Sequence, residues 1–472
     1  MAYYILKSYR LRLEPFKIFE ILSKNKHCFY LDSSLNANYY LGRYSFLGIE
    51  PFFILKTKGQ DPFKQLREIL DRYKIYSSKH NIPFLGGAVG YLAYDLGLRL
   101  EKKVKIRTKP DLDIPECFFG FYNTVVIIDH LKNLLQIFSV GFPERNYHLA
   151  KSLAECNFKK IYNLLSKIDS TRTSPESKKS QIPAQLNSNF IPLENLESFI
   201  KGKFLTGFTK EEYFLAIKKA KDYIGRGDIY PVNLSQVFNA RNSLSGSQIY
   251  QRLRKISPSY FSAYLDTGNF QILSSSPESF LRLEGDVVTT RPMKGTRPRA
   301  KNRLKDKKLK NELLESAKDK AELIMIVDLE RNDLGRVCNY DSIKVTKLRQ
   351  LEEYSTVFQT TATVSGRLHK DKDRVDLLRA CFPGGSITGC PKIRAMEIIE
   401  ELEPTRRSIY TGSLGYLSFS GNMELNILIR TILKKDNRLY FGVGGGIVAD
   451  SKPEEEYQET LVKARAMMEA IS

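Results

Sequence analysis

The sequence is sparing with the residues that build the commonest metal centres and nucleophile triads. Its six cysteines are scattered without a Cys-x-x-Cys pair, so neither a disulfide framework nor a zinc site is indicated. The five histidines (His27, His80, His130, His148 and His369) lie outside the motif-dense stretches, which argues against a histidine triad or a His-rich metal centre. No uninterrupted apolar run approaches the roughly 18 residues that a membrane span requires. The start, Met1-Ala2-Tyr3-Tyr4-Ile5-Leu6-Lys7, lacks the layout of a signal peptide. A reduced, cytoplasmic setting with no membrane partner is the expectation.

Positive charge, by contrast, is plentiful: 74 Lys and Arg against 53 Asp and Glu give a formal charge of +21. Such an excess is compatible with nucleic-acid binding, because lysine and arginine neutralise phosphates. The basic residues run from Lys7 to Lys463 with no RNA- or DNA-binding motif among them. Solvated surface is therefore the better reading, and no nucleic-acid partner is expected. A basic surface also steers a small dianionic substrate toward the protein. With 42% hydrophobic and 11% aromatic residues over 472 positions, the chain can build a large core or several smaller ones.

The clearest break runs from Asp169 to Asn189, a polar stretch containing Pro175 and Pro183 that cannot bury itself. It divides the chain into residues 1–168, a linker at 169–205 and residues 206–472. Thr356 to Arg367 is β-branched and reads as a strand. Phe270 to Leu283 with Val287 to Arg291 reads as a hairpin turning at Glu284-Gly285-Asp286. Lys307 to Met325 places Leu309, Leu313 and Ala317 on one helical face. A last helix follows Asp450-Ser451, with Pro453 in its first turn and Leu461, Ala464, Met468 and Ile471 at helical spacing. Helices and strands interspersed in this way predict an α+β fold with much antiparallel sheet.

Two glycine-rich runs fail as nucleotide motifs. Gly384-Gly385-Ser386-Ile387-Thr388-Gly389 is followed by Cys390 where a P-loop needs lysine, and Gly442-Val443-Gly444-Gly445-Gly446 by Ile447 where a dinucleotide fingerprint needs glycine. These glycines still admit close approach of backbone N–H groups to a ligand, or simply make tight turns. Glu315, Asp319 and Glu322 fall on one helical face, and Glu456 and Glu459 are neighbours on the last helix. Each is a solvated face or a source of oxygen ligands for a hard cation. Thr290 to Arg299 is a basic cluster among turn formers. Glu278, in Ser276-Pro277-Glu278, lies on the other arm of the predicted hairpin, so Glu278 and Lys294 could act as general acid and nucleophile on one small molecule.

Taken together these motifs resemble the chorismate-utilising enzyme family, which includes component I of anthranilate synthase and of aminodeoxychorismate synthase. The matching segments are Gly42 to Gly48, Ser276-Pro277-Glu278, Thr290 to Arg299, Ser316 to Glu322, Asp328 to Arg336, Phe382 to Lys392, and Gly444 to Glu459. The resemblance implies the anthranilate synthase component I-like fold, with large antiparallel sheets forming a sandwich surrounded by helices. Anthranilate synthases usually carry alanine where this chain has Lys294, and aminodeoxychorismate synthases carry lysine. Isochorismate and salicylate synthases place a water-activating lysine at the position of Pro231. The resemblance therefore implies conversion of chorismate and ammonia to 4-amino-4-deoxychorismate, toward para-aminobenzoate and folate, with anthranilate synthase as the alternative.

It also implies roles for individual residues. Lys294 would attack ring C2, and Glu278 would protonate the departing C4 hydroxyl. Mg²⁺, held by Glu322 with Glu456 or Glu459, would clamp the ring carboxylate. Arg430 and Tyr410 would hold the enolpyruvyl carboxylate with help from Gly444, Gly445 and Gly446, and Thr296 and Lys392 complete the substrate site. Because no cysteine stands in a Gly-x-Cys-x-Gly setting, a separate glutamine amidotransferase is the expected source of ammonia. An N-terminal pocket able to hold tryptophan would draw on Ser33, Arg43, Tyr44, Ser45, Phe46, Tyr260, Phe261 and Ser262. Three departures from the family pattern stand out: Gln359 replaces a frequent histidine, Tyr260 a frequent proline, and Pro231 a frequent glutamine.

Overall fold

The computed structural model describes residues 2–35, 41–75, 81–108, 112–169, 191, 195–300, 302–354 and 357–472. Two antiparallel sheets dominate them. One has eleven strands, in the order Tyr4–Arg10, Leu134–Val140, Thr124–Asp129, Tyr44–Gly48, Phe29–Asp32, Phe261–Asp266, Gln271–Ser276, Thr431–Lys435, Arg438–Ile447, Val232–Arg241 and Leu205–Thr206. The other has ten and includes Ser279–Glu284, Val287–Arg291, Met293–Pro298, Val357–Arg367, Met423–Ile427, Ser413–Ser418 and Gly87–Leu92. The fold is α+β, as the sequence predicts.

Burial explains why these strands are so apolar. Along Thr124–Asp129, Val125 and Ile127 join the core between the sheets. Val126 and Ile128 point outward into a second cluster, where the helix Tyr147–Asp169 lies against this strand. A strand covered on both faces reads as a continuous hydrophobic run rather than an alternating one. A third, smaller cluster seats the helices Lys210–Gly225 and Lys392–Leu402 on Val232, Leu234 and Ile447.

Residues 1–168 and 206–472 are joined by main-chain pairing in both sheets. Phe29–Asp32 pairs with Phe261–Asp266 in the first, and Gly87–Leu92 pairs with Ser413–Ser418 in the second. Most of the predicted linker lies outside the described residues. At its far end the short helix Leu196–Ile200 buries Leu196 and Ile200.

Two expectations need correcting. Phe270–Leu283 is not one hairpin arm: Gln271–Ser276 belongs to the first sheet and Ser279–Glu284 to the second. The chain changes sheets at Pro277-Glu278, where proline has no N–H to continue a ladder. The turn itself is as predicted, with Glu284 opposite Val287 and Gly285 at φ +61°. Nor is Lys307–Met325 one helix, because Arg303–Glu315 and Ala317–Gly335 are separate. Ser316 breaks them with an extended ψ of 111°, and its hydroxyl accepts the Asp319 N–H at 3.1 Å. An N-cap serine competes well with helix continuation. Glu315 therefore leaves the acidic face, and Asp319 is taken by Arg297 at 3.0 Å. The last helix, Pro453–Ala470, and the strand Val357–Arg367 stand where the sequence puts them; Thr356 lies outside the described residues.

Candidate active site

Lys294 owes its position to a bulge. Val287–Arg291 and Met293–Pro298 run along Val357–Arg367 in one register, with Thr290 opposite Val364, Met293 opposite Thr361 and Lys294 opposite Thr360. The register then slips by one, so that Thr296 faces Gln359. The extra residue is Gly295, at φ +76°, a conformation that glycine adopts without steric cost. The Thr360 hydroxyl pins the Lys294 carbonyl at 2.5 Å. From there the Lys294 side chain reaches the opposite sheet, where a Cβ placed on Gly446 would lie 3.6 Å from its Nζ. The glycine run thus supplies a floor close to the amine, and the chamber lies between the two sheets.

Glu278 sits at the crossing between the sheets and is 5% exposed. Its carboxyl meets the Ser386 hydroxyl and the Met293 N–H, with the charges of Lys294 and Lys463 nearby. Burial outweighs these stabilising contacts and pushes the carboxyl up to about 7. The structure therefore brings Lys294 and Glu278 together, and gives Glu278 the acidity of a general acid at neutral pH. Ser386 is a residue the sequence reading missed. It belongs to the turn Gly385–Ile387, inside the run rejected as a phosphate loop. A Cβ on Gly385 would come 2.7 Å from the Leu329 side chain, so that glycine serves helix packing.

Two of the predicted carboxylates meet at Gly445, whose Cβ would stand 3.3 Å from Glu456 Oε2 and 3.4 Å from Glu459 Oε1. Glu456 Oε1 accepts from the Ser451 hydroxyl at 2.6 Å. Glu459 is paired with Lys463 at 2.6 Å, and that cation holds its carboxyl below the usual range. Burial pushes Glu322 and Glu456 the other way, and each also feels Glu459. Among the described residues no three acidic, histidine or cysteine side chains form a ready-made metal cage. An all-oxygen set of two or three carboxylates still fits Mg²⁺, which keeps several waters and leaves room for a substrate carboxylate. Lys463, also missed by the sequence reading, donates to the Gly444 carbonyl at 2.8 Å; its signal was its place four residues after Glu459.

Arg430 is suited to an anion. Burial pulls its guanidinium down from its ordinary value, and no carboxylate among the described residues pairs with it. Its backbone is in the left-handed region at φ +49°, which is uncommon for a residue with a side chain and recurs at functional sites. Tyr410 is buried with its ring against Gly442, where a Cβ would come within 2.3 Å. Thr296 accepts from Gln359 Nε2 at 3.3 Å, while the Gln359 Oε1 and the Asn233 Oδ1 are buried without a partner among the described residues. Asn233 lies opposite Gly446, so its amide oxygen faces the same chamber. Lys392 is already engaged: its ammonium is 2.5 Å from Asp333 and 3.2 Å from the Cys381 carbonyl.

Of the eight residues assigned to an N-terminal pocket, Ser33, Arg43, Tyr44, Phe46, Tyr260 and Phe261 line one cavity of about 370 Å³. Ser262 lines a smaller recess beside it. Ser45 is behind the wall, bonded to His130 and to the Ser33 N–H. The cavity carries both signs of charge, with Arg43 and Arg282 beside Glu284 and Glu424.

Lys294, Glu278, Glu456, Glu459 and the glycine floor thus gather between the two sheets. The sequence model for chorismate binding enzymes matches residues 26–469. The chain belongs to this family. It is 36% identical to anthranilate synthase component 1 of Aquifex aeolicus, covering 97% of this chain and 92% of that protein. Aminodeoxychorismate synthase component 1 of Bacillus subtilis is likewise 36% identical, with 96% and 93% covered. The crystal structure of anthranilate synthase component I from Streptococcus pneumoniae superposes with a TM-score of 0.74 at 30% identity, covering 92% of this chain and 93% of that one. The protein is therefore a chorismate-utilising enzyme of the anthranilate and aminodeoxychorismate synthase type. Among the described residues no helix is long and apolar enough to cross a membrane.

Proposed function

We propose that this chain is the chorismate-binding component of an aminodeoxychorismate synthase, exchanging the C4 hydroxyl of chorismate for an amino group without loss of pyruvate. The observation that carries this reading is Lys294, an amine aimed by a bulge into a chamber that it shares with the buried acid Glu278. Relatives of both branches are equally similar overall, so the distinction rests on this position.

Arg430 and Tyr410 hold the enolpyruvyl carboxylate. Glu322 with Glu456 or Glu459 would hold Mg²⁺, which would supply the positive charge that neutralises the ring carboxylate. The Lys294 Nζ lone pair forms a bond to ring C2, both ring double bonds shift (C1=C2 to C1=C6 and C5=C6 to C4=C5), and the C4 hydroxyl leaves as water with the proton from Glu278. Ammonia then bonds to C4, the two double bonds shift back, the C2–N bond to Lys294 breaks with release of its amine, and the surplus ammonium proton returns to the Glu278 carboxylate. Gln359 Oε1 and Asn233 Oδ1 offer acceptors to the incoming N–H groups. A glutamine amidotransferase subunit supplies the ammonia, and the mixed-charge N-terminal cavity suits a zwitterion such as tryptophan.

Product analysis tests the assignment. Chorismate, Mg²⁺ and ammonium should yield a product that an aminodeoxychorismate lyase turns into para-aminobenzoate. Anthranilate with released pyruvate would instead place the chain with anthranilate synthases, the second reading that its relatives support. Intact-protein mass spectrometry with chorismate should show an adduct in the parent protein and none in Lys294→Ala. An equal adduct in both would remove the nucleophile from the scheme.

A further inference from the structure

Behind the chamber a second carboxyl, Glu330, is buried in the helix Ala317–Gly335 at 7% exposure, and neither the substrate contacts nor the metal set uses it. Its Oε2 accepts from the Thr290 hydroxyl at 2.9 Å. Thr290 lies three residues before Met293 on the same line of strand, and Met293 gives its N–H to Glu278. The neighbouring Leu329 packs against Gly385, which precedes Ser386, the other donor to Glu278. The Leu329–Glu330 step therefore braces both hydrogen-bond donors of the acid.

The charges around the pair are few. Glu330 faces Glu278, Asp333, Lys392 and Cys381; Glu278 faces Lys294, Lys463 and Glu330. Lys392, the cation on that side, is committed to Asp333 and the Cys381 carbonyl. A carboxylate without a paired cation is not sustained in such a dry compartment, and two carboxylates side by side still less. Burial and the neighbouring Glu278 both drive Glu330 toward its neutral form.

We propose that Glu330 is a positioning residue for Glu278: a buried carboxyl, held by the Thr290 hydroxyl, that fills the space behind the acid and excludes water from it. This inference rests on the role of Glu278 given above. Removing the side chain admits water, which solvates the Glu278 carboxylate and makes it a stronger acid. The neutral isostere glutamine leaves the compartment filled.

Chorismate consumption measured against pH, with Mg²⁺ and ammonium, reads this directly. In Glu330→Ala the falling alkaline limb should move down by about one pH unit, a roughly tenfold loss at pH 8 that disappears on the acid side. Glu330→Gln should restore the limb to its parental place. A limb that stays put in Glu330→Ala, or that moves equally in both variants, overturns the proposal. Infrared spectra of the unreacted protein give a second reading that needs no turnover. A protonated-carboxyl band should persist at pH 8.5, above the titration of Glu278, and vanish in Glu330→Gln. Its absence from the parent protein would overturn the proposal even if the alanine variant does not fold. Its presence would stand whichever amino product the enzyme makes.

Discussion

Glu278 is asked to be both buried and reactive, and its pH behaviour should show both. In the unfolded chain its carboxyl titrates near the ordinary value, whereas burial in the native protein lifts it to about 7. The native state thus binds more protons between those two values, so its stability falls as pH rises from about 4.5 through 7. Below that window the penalty is absent, and above it the penalty is fully present. Glu278→Gln removes the titration, so its unfolding free energy from urea titration should gain on the parent's between pH 5 and pH 8, by ~2 kcal/mol. Its turnover should fall by about 10²- to 10⁴-fold with the loss of the acid. An offset in unfolding free energy that is the same at both pH values would remove the buried-acid account. This residue was legible in the sequence, because Ser276-Pro277-Glu278 is short and its neighbour Lys294 lies in a second dense motif. Ser386, Asn233 and the Asp333–Lys392 pair were not, since each is defined by a partner far away in the chain. No local spacing announces that Lys392 is already occupied.

At the level of elements, local pattern was informative where one segment forms one element, as in Pro453–Ala470 and Val357–Arg367. It misled where a single residue overrides periodicity. Ser316 caps a new helix and detaches Glu315 from Asp319 and Glu322, and Pro277 sends one apolar run into two sheets. The Gly295 bulge is another such single-residue device, and it sets the direction of Lys294. Alanine at this position meets two obstacles: φ +76°, and a Cβ only 2.8 Å from Leu313 Cδ1 and 3.0 Å from Asp319. The strand must shift or the register must close. Gly295→Ala should therefore lower stability by ~1–3 kcal/mol and slow formation of the chorismate adduct beyond any change in chorismate affinity. Thermal melts and the time course of adduct mass measure the two effects. A parental melting temperature with a parental adduct rate would mean that the bulge does not aim the lysine.

Across the whole molecule, the polar stretch that reads as a boundary in sequence separates regions that the sheets knit together again. Phe261–Asp266 needs Phe29–Asp32 at its flank, and Ser413–Ser418 needs Gly87–Leu92. A fragment of residues 206–472 keeps Lys294, Glu278 and the acidic helices, yet it opens an unpaired strand edge in each sheet and strips the core between them of Phe29, Phe119 and Phe138. Exposed apolar edges of this kind template association rather than folding. The isolated fragment should accordingly show no cooperative thermal transition and should aggregate. Co-expression with residues 1–168 should return a soluble complex that consumes chorismate. A fragment 206–472 that melts cooperatively as a monomer would show that the catalytic region folds without its N-terminal strands. The pairing across the two sheets would then be an addition to an independent domain, and the N-terminal cavity could influence the chamber only through that added surface.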